Sequence, residues 1–123
     1  MTNIGDTPRN EPSGTASLSE TIDVSIIVVN YNVREFLVQA IRSVQQASKS
    51  LNTEIWVVDN NSVDGSVAAL QEDFPTVQLI ANDHNVGFGA ANNQAIREAS
   101  GEFLLILNPD TILQEDTLDI LVK

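Results

Sequence analysis

Four short polar clusters set amide, hydroxyl, carboxylate and imidazole groups close together: Asn30-Tyr31-Asn32, Asp59-Asn60-Asn61-Ser62, Asn82-Asp83-His84-Asn85 and Asn108-Pro109-Asp110-Thr111. Their amide and carboxylate oxygens accept hydrogen bonds, and a carboxylate is also a hard ligand for a divalent cation. Any one cluster has an ordinary structural explanation, because Asn, Asp and Ser make turns and cap helices. Their meaning depends on whether the fold brings them to one place.

The elements between the clusters supply that placement. Each cluster directly follows a short apolar run: Val24 to Val29, Glu54 to Val58, Val77 to Ala81 and Phe103 to Leu107. These runs are too short for buried helices, and the first two are β-branched, so they read as buried strands. Between them Leu37, Ala40, Ile41, Val44 and Ala47 recur at three- and four-residue spacing, as do Ala91, Ala95 and Ala99 with Ile96 beside them, which predicts amphipathic helices. A shorter helix is expected over Asp64 to Glu72, and another over Gln114 to Val122. Strand and helix alternating four times imply right-handed crossovers and a parallel sheet with helices on both faces, the doubly wound α/β class. In such sheets ligands bind outside the carboxyl ends of the strands, where all four clusters fall.

Composition narrows the function. Among 123 residues, seventeen acidic and six basic ones give a net charge of −11, the wrong sign for a nucleic-acid surface. The same charge would repel a nucleotide diphosphate unless a cation or backbone N–H groups offset it, which favours metal-assisted binding over an arginine clamp. Cysteine is absent, which excludes disulfides and thiolate chemistry. No apolar run approaches the roughly 20 residues needed to cross a bilayer, and the first 20 residues lack a basic segment followed by an apolar one. A soluble, cytoplasmic chain is expected. Residues 1–20 are rich in Pro, Gly, Ser, Thr and Asn and read as a flexible tail, with one α/β domain over 21–123.

From Val24 to about Leu121 the chain resembles the family 2 glycosyltransferases of GT-A fold. VSIIVVNYN is similar to the family's opening strand, whose end touches the nucleoside, and EIWVVDNNSVDGS to its strand ending in an Asp that accepts hydrogen bonds from a pyrimidine base. The stretch NDHNVGFGAANNQAIREASGEFLLILNPDT resembles the N-x-G-x-x-x-A-x-N helix and the strand leading to the metal-binding acidic motif. The resemblance implies strand order 3-2-1-4 and a donor nucleotide contacted by Asn30, Tyr31, Asn32, Asp59, Asn61, Gly87, Asn92 and Asn108. It assigns Mg²⁺ or Mn²⁺ to Asp110. Asp59 suits a uracil or thymine imide N–H because a carboxylate only accepts; the competing role is to cap a turn with Asn61 or Ser62. Gly87-Phe88-Gly89 lets the backbone approach a ligand at a helix start, but it follows the third strand and lacks a third glycine, so a nicotinamide dinucleotide is disfavoured.

Asn108-Pro109-Asp110 departs from the aspartate-any-aspartate form and resembles the rhamnosyltransferase-like branch that serves cell-surface polysaccharide synthesis. The implied reaction is inverting transfer of a sugar from a UDP or dTDP donor to a saccharide or lipid-linked acceptor. Such transfer develops negative charge on the leaving diphosphate, which a divalent ion offsets. The general base comes, in the family, from the region after the acidic motif, so it is expected beyond residue 123 and the chain is expected to be a donor-binding half, inactive alone. The complete enzyme is expected in the cytoplasm, with the inner face of the membrane as the alternative location. His84, Arg34 and Arg97 read as solvated, and Glu115, Asp116 and Asp119 as helix-surface charges. A receiver domain would require an acidic pair after the first strand, where Asn30-Tyr31-Asn32 stands. A haloacid-dehalogenase-like phosphatase would require an Asp where Asn108 stands. A non-catalytic interaction module stays open, since an unpaired edge strand invites homo-oligomer formation.

Overall fold

A computed structural model describes residues 21–110 of the chain. β1 (Val24–Asn30), α1 (Arg34–Ala47), β2 (Thr53–Asp59), α2 (Ser66–Asp73), β3 (Gln78–Ala81), α3 (Phe88–Glu98) and β4 (Phe103–Leu107) follow one another in strict alternation. The strands form one parallel sheet in the order β3-β2-β1-β4. This is the doubly wound arrangement and the strand order that the sequence implied. The expected tail over 1–20 and the expected helix over Gln114 to Val122 lie outside the described residues.

Alternation along the central strands decides which helix goes where. Val24, Ile26 and Val28 of β1 and Ile55 and Val57 of β2 share one core with Leu37, Ala40, Ile41, Val44 and Ala47 of α1 and with Leu70 and Phe74 at α2. On the opposite face Ile27 and Val58 pack with Ala91 and Ala95 of α3, and Trp56, Ile80 and Ile96 close the edges. Two β-branched strands buried on both faces read as continuous apolar runs, which is why the sequence shows no alternation there.

Register then aligns the strand ends. Asn30 is paired with Asp59, and Asp59 with Ala81, so the residues after β1, β2 and β3 emerge side by side. At the opposite edge Glu54 ties the sheet to the turn before β4. Its carboxylate accepts hydrogen bonds from Ser25 Oγ at 2.6 Å, Ser100 N at 2.7 Å and Ser100 Oγ at 3.2 Å. Ser25 Oγ in turn accepts from Gly101 N at 2.8 Å.

Three expectations need correction. The helix expected from Asp64 starts at Ser66, because Gly65 adopts a left-handed φ of 86° and the Asp64 carboxylate accepts from Ser66 N and Ser66 Oγ. The third strand begins at Gln78, one residue later than expected. The run at β4 is not buried throughout: Leu104 and Ile106 are about half exposed, because β4 is an edge strand among the described residues and α3 packs over β1 and β2.

Candidate functional site

The ends of β1 and β2 are built around Asp59. Asn30 Nδ2 donates to Asp59 Oδ1 at 2.8 Å and to Ser62 Oγ at 3.2 Å, while Ser62 N donates to Asp59 Oδ2 at 2.8 Å. The backbone N–H of Asn32 donates to Ser62 Oγ at 2.8 Å, and Val63 N donates to Asn32 Oδ1 at 2.8 Å. Asn32 and Asn61 sit at positive φ, 55° and 67°, which Asn tolerates better than other side chains. Asp59 therefore does cap the turn with Ser62. It is 1% exposed, and each of its oxygens keeps one lone pair not engaged by these bonds. Tyr31 and Asn61, in the loops after β1 and β2, stand exposed.

A second anchor lies one turn further out. Asp64 accepts from Arg34 N at 2.9 Å, from Ser66 N at 3.1 Å and from Ser66 Oγ at 2.6 Å, which joins the start of α1 to the start of α2. Partial burial opposes its ionisation, but the hydrogen bonds from Ser66 and Arg34 outweigh that and hold the carboxyl below the usual carboxylate range. Arg34 thus contributes through its backbone, and its side chain is exposed as expected.

The third cluster leads into α3. Gly87 precedes the helix at φ 89° and ψ 166°, a conformation essentially restricted to glycine. Its N–H donates to Asn85 Oδ1 at 2.8 Å, and its carbonyl accepts the first helical bond, from Ala91 N at 3.1 Å. Asn92, expected from the sequence as a donor contact, is buried on α3, and its Oδ1 has no hydrogen-bond partner. His84 is exposed, with Nδ1 2.6 Å from Asp83 Oδ1, a contact that lowers the Asp83 carboxyl below its ordinary value.

At the end of β4, Asn108 and Asp110 are exposed and line a cleft of about 380 Å³ with Pro109, Val33 and Phe36. The chain from Ser25 to residue 123 matches the model of the family described as glycosyl transferase family 2. The chain belongs to this family.

The succinoglycan biosynthesis protein ExoO of Rhizobium meliloti is 34% identical over 110 residues, covering 87% of this chain and 31% of that protein. The mannosyltransferase PcManGT of Pyrobaculum calidifontis, solved with GDP-Man and Mn²⁺, superposes with a TM-score of 0.70 at 27% identity, over 80% of this chain and 30% of that one. Staphylococcus aureus TarS, with a TM-score of 0.71 at 24% identity over 81% of this chain and 31% of its own, shares the fold. This family 2 chain thus spans about a third of the length of these relatives.

The residues present fit a divalent cation in a limited sense. No group of three or more His, Cys, Asp or Glu side chains that could hold a metal occurs among the described residues. Asp110 offers one exposed hard oxygen donor beside the open cleft, the contribution expected where a nucleotide's phosphates and water complete the shell. No helix among the described residues is long and apolar enough to cross a membrane. Two features of the site went unrecognised in the sequence. Asp64 joins the starts of α1 and α2, and Ser62, weighed in the sequence only as a capping partner of Asp59, also accepts from Asn30 Nδ2 and Asn32 N. The amides of Asn60, Asn82 and Gln94 form a cluster that only contacts distant in sequence create.

Proposed function

We propose that this chain is the donor-binding half of an inverting glycosyltransferase that takes a UDP- or dTDP-linked sugar and passes the sugar to a saccharide or lipid-linked acceptor. The observation that carries this proposal is the placement of Asp59, the Gly87 turn and Asp110 at the carboxyl ends of β2, β3 and β4, along one edge of a parallel sheet. Membership of a glycosyltransferase family, and a relative solved with GDP-Man and Mn²⁺, support the sugar transfer, the nucleotide-sugar donor and the cation.

In this proposal Asp59 accepts the imide N–H of the pyrimidine through a lone pair left by Asn30 and Ser62. Its 1% exposure requires the surrounding rim side chains to move as the base enters. Tyr31 presents an aromatic face to the nucleoside, Asn30 and Asn32 hold the loop behind it, and Asn61, Asn92 and Asn108 are the further amides of the donor site. Asp110, with Asn108 beside it, would hold Mg²⁺ or Mn²⁺. Such an ion, when bound, supplies the positive charge that the leaving diphosphate needs. In the transfer the acceptor oxygen forms a bond to the anomeric carbon from the face opposite the diphosphate, the carbon–oxygen bond to the diphosphate breaks, and a base takes the hydroxyl proton. No described carboxylate at the rim is assigned that base: Asp59 and Asp64 are engaged as acceptors, Asp83 is paired with His84, and Asp110 is assigned to the cation.

Calorimetric titration of UDP, dTDP and GDP into the chain, with and without Mn²⁺, tests the proposal. UDP and dTDP are expected to bind and GDP to bind less tightly. Asp59→Asn, which replaces one acceptor oxygen by a donor, is expected to remove the preference, and Asp110→Ala to remove the effect of Mn²⁺. Equal binding of all three nucleotides would discard the pyrimidine assignment, and absence of binding would discard the donor-site assignment.

A further inference from the structure

The amides of Asn60, Asn82 and Gln94 form one continuous relay beneath the Gly87 turn. Asn60, directly after β2, is 2% exposed. Its Oδ1 accepts from Asn82 Nδ2 at 3.0 Å and from Val86 N at 3.4 Å, and its Nδ2 donates to the Gly87 carbonyl at 3.3 Å. Asn82, directly after β3, exchanges two hydrogen bonds with Gln94 of α3: Asn82 Nδ2 to Gln94 Oε1 at 2.9 Å and Gln94 Nε2 to Asn82 Oδ1 at 3.0 Å. Its backbone N–H also donates to the Asp59 carbonyl at 2.9 Å. The glycine turn and the second turn of α3 are thus joined through one set of side chains, and the Asn82 backbone ties that set to Asp59, which bears the proposed base acceptor.

Resting on the donor-site proposal above, we infer that Asn60, Asn82 and Gln94 are positioning residues that hold the Val86–Gly87 backbone in its binding conformation before the donor arrives. Gly87 lies in a backbone region that costs about 1–3 kcal/mol for most residues and has many alternatives even for glycine. A turn of this kind keeps one conformation only if something outside it over-determines it. Asn60 does so from both sides, as acceptor for Val86 N and donor to Gly87 O. The relay is built from neutral amides, so it positions the turn without adding negative charge to a site whose ligand is anionic and whose chain already carries −11. A donor that finds the turn already in place loses less conformational entropy on binding.

Two variants separate positioning from mere support of the fold. Asn60→Asp keeps the acceptor for Asn82 and Val86 but faces the Gly87 carbonyl without a proton, and acidification restores a donor there. Gln94→Leu removes the paired amide bonds at nearly constant volume. Circular dichroism fixes the folded fraction, hydrogen exchange reads the Val86 and Gly87 amides, and titration of UDP with Mn²⁺ reads the site. Both variants are expected to speed exchange at those two amides and to weaken UDP binding to folded protein by about fivefold or more. For Asn60→Asp the loss relative to the parent chain is expected to shrink between about pH 8 and about pH 5 as the introduced carboxyl protonates.

Lower melting temperatures with unchanged UDP affinity of the folded protein would overturn the inference and leave the donor site standing. Unchanged exchange at Val86 and Gly87 would overturn it whether or not a nucleotide binds. A parent chain that binds no nucleotide would remove the donor site and this inference with it.

Discussion

Individual residues carry consequences that can be measured singly. A Cβ at Gly101 would lie 2.6 Å from Ser25 N and Ser25 Oγ and 2.9 Å from the Val24 carbonyl carbon, and two of these are backbone atoms that cannot swing aside. Gly101→Ala should therefore destabilise the fold: overpacking costs about 1–3 kcal/mol, against roughly 0.4–1 kcal/mol gained from a stiffer unfolded chain. A lower urea midpoint is the expected result. Gly87 is the contrasting case, where a Cβ would meet nothing within 4 Å but the backbone holds a φ of 89°. There Gly87→Ala should cost about 1–3 kcal/mol through backbone strain alone, with a matching shift in the same urea titration. Asp64 sets a pH dependence. Its folded pKa lies below the ordinary value, so its contribution is complete above the unfolded pKa and disappears as pH falls through the folded one. Urea midpoints taken between about pH 7 and about pH 3 should fall on acidification, and Asp64→Asn should flatten that fall. Asp59 was legible in the sequence as an acceptor at a strand end. Its capping bond with Ser62 was an open alternative there; the bond from Asn30 was not legible, because Asn30 lies 29 residues away and meets it only through the register of β1 and β2.

The elements differ in how much their neighbours ask of them. α1 buries a long apolar stripe, and its three- and four-residue spacing made it readable without the structure. α3 approaches the opposite face through Ala91 and Ala95, both fully buried, so its distance from β1 and β2 is set by two methyl groups. Ala95→Leu should push the helix off the sheet at a cost of about 1–3 kcal/mol, read as a lowered melting temperature. The same displacement would move Gln94, the adjacent residue, away from Asn82, so UDP affinity should fall with stability in this variant. β4 is the element that the sequence misrepresents. FLLIL reads as a strand buried on both faces, yet Leu104 and Ile106 stay about half exposed because an edge position and the placement of α3 leave that side uncovered among the described residues. Hydrophobic content reports what a strand can bury, and its neighbours decide what it does bury.

At the scale of the whole molecule, net charge opposes the proposed ligand. A chain at −11 repels a nucleoside diphosphate over distances comparable to the Debye length, so without a divalent ion added salt should tighten UDP binding. Raising monovalent salt from about 20 to about 150 mM should improve UDP affinity by roughly twofold and leave that of uridine, which is uncharged, unchanged. A weaker UDP complex at higher salt would mean that local N–H groups and cations outweigh the global field. The α/β alternation, the doubly wound class and the polar character of all four strand ends were readable from residue order alone, because these depend on short-range periodicity and on the turn chemistry of Asn, Asp, Ser and Gly. The sequence motifs also sufficed for the family. Which of those polar groups meet was fixed by the folded arrangement of the strands and helices. Parallel pairing brought Asn30 to Asp59, crossover connections brought Asn60 to Asn82 and Gln94, and the edge position of β4 among the described residues left Leu104 and Ile106 about half exposed. Each depends on contacts between residues far apart in the chain, which local pattern does not encode.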